Sequence, residues 1–76
     1  FRTSLYSPTF YIKHSWDGSS WTWGTMSRTG EGIYTYTGNC YTANGANVYT
    51  SKSDNNYLSP SGTFGVNNGV PAVWSY

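Results

Sequence analysis

Apolar and polar positions alternate along most of this chain with a period of two, the signature of half-buried strands. Segment 9–16, Thr-Phe-Tyr-Ile-Lys-His-Ser-Trp, sets Phe10, Ile12, His14 and Trp16 on one face and Tyr11, Lys13 and Ser15 on the other. Asp17-Gly18 with Ser19 and Ser20 then marks a tight turn, since Asp and Gly tolerate the positive φ that such turns require. The partner strand, 21–27, places Trp21, Trp23 and Thr25 together, opposite Thr22, Gly24 and Met26. A turn at 29–32 leads into Ile33-Tyr34-Thr35-Tyr36-Thr37, whose β-branched and aromatic residues favour a strand. Residues 40–42 continue it after a bulge, and Asn44-Gly45 fits a hairpin turn. Residues 46–51 form a further strand, with Val48 on one face and Asn47 and Tyr49 on the other. Residues 52–62 read as a long polar loop, 63–66 as a short strand, 67–69 as a turn, and 70–76 as a last strand or extended tail. Pro71 confines that last strand to an edge or to its own first position.

No window carries apolar residues at helical spacing. The expectation is an all-β domain, a small antiparallel, immunoglobulin-like β-sandwich of about six or seven short strands. At 76 residues the chain forms one domain, with residues 1–8 as an extended arm at its start.

Composition sharpens this picture. Charged residues make up 9% of the chain and aromatics 20%, with Trp 4, Tyr 8 and Phe 3 against a thin aliphatic set. In so short a chain those rings must supply most of the core, because a small domain buries a modest share of its surface. Phe10, Ile12, Met26, the Tyr34 and Tyr36 face and Phe64 are the expected core. The Trp16, Trp21 and Trp23 group has no evident core duty.

Charge excludes several classes. A net charge of +1, with Arg2, Lys13, Arg28 and Lys52 scattered, provides no basic stripe for a nucleic acid or an anionic membrane. No apolar run approaches bilayer length, so membrane insertion is not expected. The abundance of aromatic and β-branched residues argues for a folded rather than disordered chain. A start at Phe1 rather than Met reads as a processed product, or a piece of a larger protein that is secreted or displayed at the cell surface. Cys40 stands alone, which leaves no internal disulfide and no cysteine-based zinc site. It reads as a small buried thiol, with an intermolecular bridge as the alternative.

Catalytic chemistry lacks its residues. The acids are Asp17, Glu31 and Asp54, of which the first two sit in turns. Nothing in the spacing places two carboxylates across one bond, as a glycosidase needs at about 5–9 Å. No nucleophile elbow, zinc-protease helix or phosphate-cradling glycine loop is present. Asp54-Asn55-Asn56 offers oxygen donors, but three in a row lack the alternate spacing of a calcium loop. No cofactor, metal or catalytic residue is assigned.

What remains is a surplus of rings beside a surplus of Asn, Ser, Thr and Gly. Sugars present apolar C–H faces and a rim of hydroxyls, so flat aromatics flanked by short polar side chains suit them. Trp16, Trp21 and Trp23 near one hairpin form a candidate platform, with His14, Lys13 and residues Asp54, Asn55 and Asn56 as hydroxyl partners.

The order of residues resembles a known group. Phe10-Tyr11-Ile12-Lys13, then Trp16, Trp21 and Met26, then Gly32-Ile33-Tyr34-Thr35-Tyr36-Thr37-Gly38, then Asn47-Val48-Tyr49-Thr50, is similar to the starch-binding β-sandwich modules. These comprise carbohydrate-binding module families 25 and 26 and the outer-membrane starch-binding lipoproteins of gut Bacteroides. Members of that group run longer, and their late tryptophan segment is replaced here by Ser53-Asp54-Asn55-Asn56-Tyr57. The resemblance implies non-catalytic binding of an α-glucan polysaccharide or oligosaccharide. It makes Trp16, His14, Trp21 or Trp23 the stacking and polar contacts, Asp54 to Asn56 the far rim, and Met26 and Tyr34 core.

A second class stays open: a structural subunit of an extracellular fibre, pilus-like or phage-tail assembly. There, the aromatic and Asn/Ser/Thr-rich surface serves self-assembly, and Phe1 to Ser7 is a strand donated to a neighbour.

Overall fold

A computed structural model describes residues 1–38, 40, 45–58, 61–62 and 74–76. Among these residues the elements are β1 (Tyr11–His14), β2 (Thr22–Thr25), β3 (Ser27–Gly30), β4 (Ile33–Thr35), β5 (Ala46–Tyr49), a 3-10 turn (Asp54–Asn56), β6 (Ser61–Gly62) and β7 (Trp74–Ser75). Among the described residues the strand pairs are antiparallel, the isolated Arg2–Ser75 bridge is parallel, and the one helical element is that single turn. The chain is mostly β, as its alternation predicts. Readings that fall on 41–44 and 63–73 lie outside the described residues.

One sheet has the order β2-β1-β5. Its β1–β2 hairpin pairs Ile12 with Gly24, Lys13 with Trp23 and His14 with Thr22. The turn between them begins earlier than alternation predicts. Ser15 is buried at 2% exposure because its Oγ accepts hydrogen bonds from the Gly18 amide at 2.8 Å and the Asp17 amide at 3.3 Å. The Asp17 carboxylate in turn accepts from the Ser19 and Ser20 amides, each at 2.8 Å, while Gly18 takes φ +84°. With Ser15 drawn in to serve those amides, Trp16 leaves the sheet and stands 67% exposed, rather than sharing a face with Ile12.

The second sheet is assembled from pieces. The expected strand 21–27 divides at Met26, whose amide donates to the Phe10 carbonyl at 2.9 Å and whose side chain enters the core. Beyond it, β3 pairs with β4 through a bulge between Arg28 and Gly30. Gly32 closes this hairpin at φ +67°, and a Cβ there would lie 2.7 Å from the Thr3 carbonyl oxygen. Only glycine meets both demands. Arg2 bridges Ile33 on one side and Ser75 on the other, which ties the β3–β4 hairpin to the β6–β7 pair. Thr3 donates to Gly32, Tyr34 to Phe1 and Tyr76 to Arg2 across these bridges. The start of the arm read above as a donated strand is thus paired within its own chain.

Residues of both sheets pack around Phe10, which is fully buried. Its ring packs edge-on against Tyr34 at 4.6 Å and Phe1 at 5.4 Å. Ile12, Met26, Ala46, Val48 and Leu58 complete the cluster, with Cys40 half-buried against it. Burial pushes the Cys40 thiol pKa up. Tyr36 departs from the expected core. It lies over Gly24, with its hydroxyl 3.0 Å from His14 Nε2.

The long polar segment is more structured than composition implies. Ser53 caps the 3-10 turn by accepting from the Asn55 amide at 3.3 Å. Tyr57 then bridges to Tyr49, and the Leu58 amide donates to Val48 at 2.9 Å, so the chain returns along β5. The apolar Leu58 holds it there by entering the core.

Candidate functional site

The β2-β1-β5 sheet has two faces of different character. Ile12, Gly24 and Val48 form one cross-strand row and turn inward. By the pleat, the next rows turn the other way: Trp23, Lys13 and Asn47 in one, Thr25, Tyr11 and Tyr49 in the other. On this outward face Trp23 and Tyr49 pack edge to face, with ring centroids 4.7 Å apart. Tyr57 extends the cluster at 5.6 Å from Tyr49, held there by the 3-10 turn and the bridge to β5.

Two cations complete it. Lys13 Nζ lies 5.3 Å from the Trp23 ring centre and 2.9 Å from Asp54 Oδ1. Lys52 Nζ sits 5.7 Å from the Tyr11 ring. Because Asp54 is largely exposed, the Lys13–Asp54 pair contributes at most about 1 kcal/mol, and its main effect is to hold both groups in place. Tyr49 is buried among these neighbours. Burial first, and then the Asp54 charge, push its phenol pKa up.

Of the residues singled out by sequence, Trp23 and Asp54 come together, through Lys13. Asn55 and Asn56 are exposed on the same 3-10 turn, although the Asn56 side-chain Nδ2 donates to Ser51 Oγ at 2.6 Å. His14 belongs to the opposite register parity, where its ring lies 5.1 Å from that of Tyr36. Trp16 and Trp21 flank the 17–20 turn and are both exposed, Trp21 at 39%. Tyr49, Tyr57, Tyr11 and Lys52 were not singled out. The parity of Tyr49 was legible, but nothing local says that β5 lies beside β1.

The arrangement offers rings, ammonium donors and a carboxylate acceptor on one surface. Among the described residues, no group of three or more His, Cys, Asp or Glu side chains converges where a metal ion could sit. No described helix is long and apolar enough to cross a membrane. No protein-family model matches the chain, and comparison with curated proteins and with solved structures finds no match. Fold and surface together define a small, mostly β domain with an aromatic outer face.

Proposed function

We propose that this chain is a non-catalytic carbohydrate-binding module that recognises an α-glucan or similar polysaccharide, carried on a secreted or cell-surface protein. The observation that carries the reading is the outward face of the β2-β1-β5 sheet, where Trp23, Tyr57, Lys13 and Asp54 adjoin. A pyranose has apolar C–H faces that stack on rings, and hydroxyls that both donate and accept. Lys13 donates, Asp54 accepts, and the exposed Asn55 side chain does both. Trp16 and Trp21 add exposed indoles at the end of the hairpin. An immunoglobulin-like sandwich is the architecture we assign, supported by two sheets that share Phe10 and Tyr34.

Tryptophan fluorescence titrated with maltoheptaose tests the proposal. Quenching or a spectral shift is expected, lost in Trp23→Ala or Trp21→Ala variants that keep their folded circular dichroism. Absence of any response across a glycan array, together with a large ordered assembly in sedimentation, favours the fibre-subunit reading instead. One observation speaks for that reading: among the described residues β2 is an outer strand of its sheet, and its Thr-Trp-Gly-Thr sequence has neither charge nor proline to protect the edge.

A further inference from the structure

A cleft of about 620 Å³ lies between segment 3–9 and the β3–β4 hairpin, within the range of small-molecule sites. Of its lining, Thr25 alone belongs to the outward face that carries Trp23. Met26 and Tyr34 line its inner part, Leu5 and Tyr6 stand on one side, and Arg28 and Glu31 on the other. Serine and threonine residues make up much of the rest of the lining. The wall formed by 3–9 is shaped by its own side chains: Thr3 Oγ1 accepts from the Leu5 amide at 2.9 Å, and Ser7 Oγ donates to the Thr9 carbonyl at 2.8 Å. Local bonds of this kind fix the segment's own backbone.

We propose that this cleft is a second saccharide-binding site, for a neutral sugar unit. Arg28 and Glu31 both line it, and among the described residues neither forms an ion pair. A guanidinium only donates and a carboxylate only accepts, so together they suit a group that does both, which is what adjacent sugar hydroxyls are. A singly charged ligand meets one attractive and one repulsive partner. Tyr6, 88% exposed, and Leu5, 40% exposed, supply apolar surface for a C–H face. The inference rests on the reading that the chain binds glycan, and it adds a second grip. Two sites on one polysaccharide raise avidity without any new contact at either.

The test is a ¹⁵N–¹H spectrum of the whole chain titrated with maltoheptaose, repeated for Tyr6→Ala with Arg28→Ala. Both side chains are exposed, so the variant is expected to fold. Amide shifts at Tyr6, Arg28 and Glu31, lost in the variant while shifts around Trp23 persist, are the expected result. Retention on granular starch should weaken about tenfold, the size of one lost charged hydrogen bond. Shifts confined to the cleft support this inference and overturn the Trp23 face. Shifts confined to the Trp23 face overturn the cleft alone. No shift anywhere overturns both, and cleft shifts produced by an apolar peptide but not by maltoheptaose make it a peptide groove.

Discussion

Trp23 and Tyr49 meet edge to face at 4.7 Å although their strands are not neighbours, because β1 runs between them. The registers explain the contact. Lys13 pairs with Trp23 and Tyr11 with Tyr49, so the two rings are diagonal across the middle strand, and both are long enough to reach over it. Such a ring pair contributes about 0.5–1.5 kcal/mol beyond its buried area. It braces the outer strands of the sheet and sets the surface on which Lys13 and Asp54 lie.

Tyr49→Ala is therefore expected to cost about 3 kcal/mol, the low end for losing a buried aromatic, and to shift Trp23 emission. Tyr49 also links this face to alkaline pH. Its phenol pKa is raised in the folded state, so its contribution is full below the ordinary tyrosine value of about 10 and is lost as pH rises through the folded value. Alkaline melts followed by tryptophan fluorescence should show that loss, and Tyr49→Phe should remove it.

Gly24 is a contact position rather than a turn. A Cβ there would lie 2.4 Å from the Tyr36 ring, so Gly24→Ala must swing the ring away from the sheet. The expected consequence is loss of the 3.0 Å His14–Tyr36 hydrogen bond, at about 1 kcal/mol. Urea denaturation of Gly24→Ala, Tyr36→Phe and the double variant checks this. A double variant no worse than Gly24→Ala shows that both act through one bond.

Phe10 packs against residues of both sheets, and little else in the core is as large. Phe10→Ala should cost about 3–5 kcal/mol, comparable to the whole stability of a domain this small. Collapse of amide dispersion in a ¹⁵N–¹H spectrum at 25 °C is the expected result. A dispersed spectrum would mean that Phe1 and Tyr34 close the gap unaided.

Acid should loosen the 17–20 turn before the rest of the fold. Amide hydrogen bonds from Ser20 and Ser19 lower the Asp17 pKa below the usual carboxylate range. The turn therefore keeps this stabilisation above the ordinary aspartate value and loses it as pH falls through the lower folded value. Carboxyl and amide shifts of Asp17, Ser19 and Ser20 should titrate together there, and Asp17→Asn should abolish the transition while slowing none of the core amide protection.

Local sequence determined β1, β2, β4 and β5, the inward parity of Phe10, Ile12 and Met26, and the Asp17-Gly18 turn, because period-two burial and positive φ are properties of a few adjacent residues, whereas β3 and β6 fall on segments that read as a turn and a loop. Even there, Ser15 changed the outcome by turning inward to serve the turn amides, which put Trp16 outside the sheet. Tertiary structure alone decided that β5 lies beside β1, that residues 1–3 pair with their own chain, and that Leu58 draws segment 54–58 back over Tyr49. Those pairings join residues far apart along the chain, and they are selected by which apolar surfaces close one shared core. The surface that unites Trp23, Tyr49, Tyr57, Lys13 and Asp54 comes from three such separate segments, so no local pattern encodes it.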